Sequence, residues 1–83
     1  MIGVRAALVD GELVAGDVRV EDGRVAEIGL AADPAATGIA VPGFVDVQCN
    51  GGYGIDLASE PERLWELAAR LPRTGVTAWL PTI

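Results

Sequence analysis

The chain has no histidine and no lysine, a single cysteine, and aromatic residues at only 5% of its 83 positions. Its six cations, all arginine, are scattered among twelve carboxylates, for a formal net charge of −6. Contacts to a nucleic-acid backbone depend on clustered cations, so a nucleic-acid partner is excluded. Cys49 alone cannot form an internal disulfide, which removes any disulfide framework and fits a reducing cytoplasm. No stretch approaches the roughly 20 consecutive apolar residues of a membrane span. The start, Met1-Ile2-Gly3-Val4-Arg5, lacks the basic residues and apolar run of a signal peptide. A cytoplasmic protein without a membrane partner is the expectation.

Apolar residues are abundant: the chain is 51% hydrophobic, with a mean hydropathy of +0.37. A chain of this size buries only about 60% of the surface its unfolded form exposes. So apolar a composition in so short a chain implies faces that pack against other polypeptide, and the sequence reads as the opening piece of a longer protein.

The first forty residues read as short strands separated by turn dipeptides. Val4 to Val9 leads to Asp10-Gly11, Glu12 to Ala15 and Asp17 to Glu21 follow, and Asp22-Gly23 precedes Arg24 to Ile28. Asp-Gly between apolar runs predicts two-residue type I′ hairpins, whose central positions both need positive φ. Val18, Val20, Val25 and Ile28 are expected on one face and Arg19, Glu21, Arg24 and Glu27 on the other. Ala31 to Gly38 reads as a loop before a short strand, Ile39 to Val41.

Pro42-Gly43 breaks the pattern. Phe44 to Asn50 is strand-like with apolar residues at both parities, as expected of a strand buried on both sides. Gly51, Gly52 and Gly54 read as a loop. Ser59-Glu60-Pro61-Glu62 fits a capping box that starts a helix with Leu64, Leu67, Ala68 and Leu71 on one face. Pro72 and Gly75 end it, and Val76 to Leu80 is a strand again. Strand, helix and strand in about 40 residues make the shortest right-handed parallel crossover.

The stretch Val41-Pro42-Gly43-Phe44-Val45-Asp46-Val47-Gln48-Cys49-Asn50-Gly51-Gly52 resembles the start of the first barrel strand in the amidohydrolase superfamily, where a Pro-Gly-Phe-x-Asp lead-in is followed by His-x-His. Here Gln48 and Asn50 stand at the two histidine positions. That substitution, the Gly-rich segment after it and Gly75-Val76-Thr77-Ala78-Trp79-Leu80-Pro81-Thr82 are similar to the N-acetylglucosamine-6-phosphate deacetylases within that superfamily.

The resemblance implies an α/β fold: a β-sandwich portion over residues 1 to 42, then the first βαβ of a (β/α)8 barrel over residues 43 to 83. It implies hydrolysis of the N-acetyl group of an amino sugar phosphate by a metal-dependent, homo-oligomeric enzyme. The divalent metal, zinc by expectation, would be held by a Glu and two His, with an Asp as general acid/base, all beyond Ile83. This chain alone is then expected to carry no catalytic residue, to bind no metal and to be inactive. Carboxamides are weak zinc ligands beside imidazole, so Gln48 and Asn50 are expected to line the active site rather than hold metal. Gly51, Gly52 and Gly54 are candidates for a phosphate or substrate loop, weighed against an ordinary glycine turn.

Asp46 is read as an internal hydrogen-bond acceptor, Cys49 as buried and inert, and Trp65 and Trp79 as packing residues. Two other functions compete. One is a different amidohydrolase acting on cyclic amides or peptides; the other is a non-catalytic β-rich module that mediates association.

Overall fold

Asp10-Gly11 and Asp22-Gly23 both form tight turns in the computed structural model, which describes residues 1–83 throughout. Their φ angles are +49 and +81, and +51 and +73, the paired positive values of type I′ turns. The first turn joins β1 (Val4–Val9) to β2 (Glu12–Ala15), paired antiparallel from Ala6↔Ala15 to Val9↔Glu12. The second joins β3 (Asp17–Glu21) to β4 (Arg24–Leu30), which runs two residues past its expected end.

The β3–β4 pairing has two irregularities, the first of which explains why Val25 and Ile28 are three apart yet share a face. Val20 pairs with Val25 and Arg19 with Glu27, so Ala26 is the extra residue of a bulge. Val18 then pairs with Ile28, and Gly29, at φ +84, is skipped before Leu30 meets Asp17. Directly paired residues lie on the same face, so Val18, Val20, Val25 and Ile28 come together only because of the Ala26 bulge.

β5 (Gly38–Ala40) adds to β1 in parallel, giving a three-stranded sheet in the order β2-β1-β5 beside the two-stranded β3-β4 sheet. Ala6 and Ala7 are adjacent in β1 and both buried, so that strand is covered on both sides, and Val18 is buried with them. The rest of the expected core face is open: Val20, Val25 and Ile28 are exposed. With Ala7, Leu8, Val9 and Val41 the latter two border an apolar concavity of about 310 Å³.

The chain divides into two compact units, Met1–Pro42 and Gly43–Ile83. In the second, β6 (Phe44–Cys49) pairs in parallel with β9 (Val76–Pro81). Between them lie β7 (Gly51–Gly52), β8 (Ile55–Asp56) and the helix α1 (Leu64–Arg70), which is flanked by 3-10 turns at Pro61–Arg63 and Leu71–Thr74. The core of this unit is Cys49, Ile55, Leu57, Leu67 and Leu71, with Leu64, Val76 and Trp79 against it. Gly75 ends the helical segment at φ +89, its N–H donating to Pro72 O at 3.0 Å.

Three local expectations are corrected. Ser59 does not cap the helix: its hydroxyl donates to Asp56 Oδ2 (2.9 Å), while Asp56 Oδ1 accepts the Ala58 N–H (3.1 Å) and the Asp56 carbonyl accepts the Ser59 and Glu60 N–H groups. An Asx turn at Asp56 thus competes successfully for the serine that a capping box requires. Trp65 is 80% exposed because it falls opposite the Leu64, Leu67 and Leu71 stripe. Phe44, Val45 and Val47 of β6 are also exposed, since one helix and one neighbouring strand cannot cover both faces of a parallel pair. The chain is mostly strand with one short helix, and its α/β character rests on the β6–α1–β9 crossover.

Candidate functional site

Gln48 and Asn50 flank Cys49 at the C-terminal end of β6. The sulfur is buried and lies 3.7 Å from Gly51 O, and the Cys49 carbonyl accepts the Thr82 N–H at 2.9 Å. With Cys49 fixed inward, the residues on either side are both exposed. Asp46 Oδ1 accepts the Gln48 N–H at 3.0 Å, a local and exposed hydrogen bond rather than one inside the core. The Asn50 carbonyl accepts the Leu57 N–H at 3.0 Å.

The β6–β9 pairing passes from Asp46↔Trp79 to Cys49↔Pro81, leaving two residues on β6 against one, Leu80, on β9. This irregularity falls on Val47 and Gln48, so the backbone departs from a regular strand within the Gln-x-Asn motif.

The glycine segment is a hairpin rather than an open loop: Gly51 pairs with Asp56 and Gly52 with Ile55. Tyr53 and Gly54, at φ +50 and +76, form a third type I′ turn. A β-carbon on Gly51 would overlap the Ile55 carbonyl oxygen, and one on Gly52 would sit 3.5 Å from Leu67 Cδ1. Close backbone approach accounts for Gly51, a β-carbon on Gly52 would make only ordinary contact with Leu67, and Gly54 is exposed at the tip.

Sequence reasoning missed two neighbours of this segment. Tyr53 occupies a left-handed position that usually falls to Asn, Asp or Gly, and the Arg70 guanidinium lies 5.8 Å from its ring centroid. The signal available was the Tyr-Gly dipeptide between two short runs, the same x-Gly pattern as the two Asp-Gly turns.

Charge at the site is local. Arg63 bridges Glu60 and Glu66 at 3.0 and 2.9 Å, and its two hydrogen bonds hold the Glu66 carboxyl below its ordinary value. No three of the Cys, Asp and Glu side chains converge as a ligand set. The exposed carboxamides at 48 and 50 are weak ligands for a divalent metal beside imidazole, thiolate or carboxylate. No helix is long and apolar enough to cross a membrane.

No family model matches the chain, and no solved structure matches it. Curated proteins do. Over 49 residues, 54% of this chain, it is 43% identical to the N-acetylglucosamine-6-phosphate deacetylase of Mus musculus and 41% identical to those of Homo sapiens and Danio rerio. The match covers 12% of each relative's length, so part of this chain is similar to a short part of those deacetylases.

Proposed function

We propose that residues 1–83 form the opening part of an enzyme that hydrolyses the N-acetyl group of N-acetylglucosamine 6-phosphate, giving acetate and glucosamine 6-phosphate. The observation that carries this reading is the 41–43% identity to proteins of that name. The parallel β6–α1–β9 unit, with its Gln-x-Asn at the end of the first strand, supports it.

In this reading the crossover opens a (β/α)8 barrel and residues 1–42 contribute to a β-sandwich. Such barrels place their chemistry at the C-terminal ends of the strands, where Gln48 and Asn50 stand. The two carboxamides line the cavity and offer hydrogen bonds to the sugar or to water, and the Gly51–Asp56 hairpin borders it, with Gly54 at the tip. A divalent metal, zinc in the first instance, is held entirely by residues outside 1–83. The enzyme is cytoplasmic and homo-oligomeric, and residues 1–83 serve as scaffold without activity of their own.

The exposed Phe44, Val45 and Val47 also suit a non-catalytic module whose apolar faces only mediate association. Expressing the complete reading frame that contains residues 1–83, with zinc supplied, separates the two. Stoichiometric release of acetate and glucosamine 6-phosphate from the acetylated sugar phosphate is the expected result. A complete protein that folds, binds zinc and releases neither product would sink the deacetylase reading.

A further inference from the structure

Asp17 is the one charged residue of the chain withdrawn from solvent, at 4% exposure. Its carboxylate faces the start of the chain: Oδ1 accepts the Gly3 N–H (3.1 Å), the Val4 N–H (3.1 Å) and the Val18 N–H (2.7 Å), and Oδ2 lies 3.3 Å from the Gly3 nitrogen. Beside it the Ile2 N–H donates to the Val18 carbonyl at 3.0 Å. Three consecutive amides, those of Ile2, Gly3 and Val4, are therefore held by two adjacent residues of β3.

Little else restrains this segment. Residues 1–3 precede β1 and take no part in a sheet ladder. The Met1 and Ile2 side chains are 61% and 50% exposed, and nothing lies within 4 Å of the place a β-carbon on Gly3 would take. Apolar burial is partial here, so the carboxylate, together with the Ile2–Val18 backbone bond, is the principal restraint. Bonds from neutral N–H donors to an ionised acceptor are about twice as strong as bonds between neutral groups.

We propose that residues 1–3 form an acid-releasable clasp, closed by the ionised Asp17 carboxylate and opening locally, ahead of the sheets, when that carboxylate takes up a proton. Of the charged groups nearby, the Met1 ammonium adds attraction to the carboxylate. On β1, Arg5 is turned to the Thr37 carbonyl (3.2 Å); on β3, Arg19 is paired with Glu21 and Glu27; the residue of β4 opposite Asp17 is the apolar Leu30.

The amide hydrogen bonds hold Asp17 below its ordinary value of 3.8. A group with a lowered folded pKa contributes its full stabilisation above the unfolded value and loses it as pH falls through the folded one. The clasp is thus closed at neutral pH and opens in acid, as pH falls through the lowered value of Asp17.

The test is residue-resolved amide hydrogen exchange on the intact chain from pH 6 down to pH 2, corrected for intrinsic exchange. Protection of Gly3 and Val4 is expected to fall at least tenfold on acidification while the β1–β2 ladder keeps its own. Asp17→Asn is expected to show that loss already at pH 6, with no further acid step. The clasp is overturned if Gly3 and Val4 stay protected in acid, if they lose protection only together with β1 and β2, or if they are unprotected at pH 6. Should Asp17→Asn fail to fold, the wild-type pH series decides alone.

Discussion

The side chain of Thr77 fills the space beside the α-carbon of Gly43. A β-carbon on Gly43 would overlap Thr77 Cγ2 and Oγ1 and stand 2.8 Å from its Cβ. This contact lies where β6 begins, next to the Phe44↔Val76 pair, and gives the Pro-Gly-Phe stretch a packing reason for its glycine. Gly43→Ala must push the two strands apart or twist Thr77 off its rotamer, at a cost of about 1–3 kcal/mol. Chemical denaturation should show that loss, and adding Thr77→Ala should recover part of it. A Gly43→Ala protein with an unchanged midpoint would contradict the contact.

Helix α1 supplies a second contrast. Leu67 is fully buried among Cys49, Ile55, Leu57 and Leu71, whereas Trp65, two residues earlier, is 80% exposed. Leu67→Ala should cost about 2–5 kcal/mol through lost transfer energy and the cavity left behind. Trp65→Ala, although it removes the larger side chain, should stay within about 0.5 kcal/mol in this chain. Thermal melts of the two variants check the order; a larger loss at Trp65 would mean that its face is covered in solution.

Residues 56 to 59 test which residue organises the approach to α1. Asp56 accepts the Ala58 N–H and the Ser59 hydroxyl, and Ser59 caps no helical amide. Asp56→Ala should therefore destabilise by about 1 kcal/mol, comparable to loss of a helix cap, because the Ala58 amide loses its partner. Ser59→Ala should cost clearly less. Equal losses at the two positions would restore the capping box and remove the Asx turn.

Much of this fold was legible in the sequence. Asp10-Gly11 and Asp22-Gly23 fix the chain direction locally: β1 and β3 end, and β2 and β4 begin, where those dipeptides predict. What escaped depends on competition between nearby groups or on backbone irregularity. The Ala26 bulge cannot be read from composition, yet it alone brings Val25 and Ile28 to one face. Ser59 has two acceptable partners in sequence, and only the fold of the turn chooses Asp56. At the candidate site, the exposure of Gln48 and Asn50 follows from their alternation with a buried Cys49, but the irregular pairing at Val47 and Gln48 does not. The hairpin at Gly51–Asp56 was hidden because its turn begins with Tyr53 rather than Asn or Asp.

Gln48 and Asn50 give the sharpest separation between scaffold and site. Both are exposed, so shortening either removes little packing, and Gln48→Ala or Asn50→Ala should shift stability by no more than about 0.5 kcal/mol. In the complete protein, the proposed role gives them hydrogen bonds to the sugar or to water in the cavity. Loss of groups that orient a metal-centred site commonly costs about 10–100-fold in activity. Each variant is thus expected to lower kcat/KM for acetate release by about that factor with an unchanged melting temperature, and the Trp65→Ala protein, altered on another face of the unit, should keep full activity. Wild-type kcat/KM in both Gln48→Ala and Asn50→Ala would remove the two residues from the site, even if the protein proves to be the deacetylase.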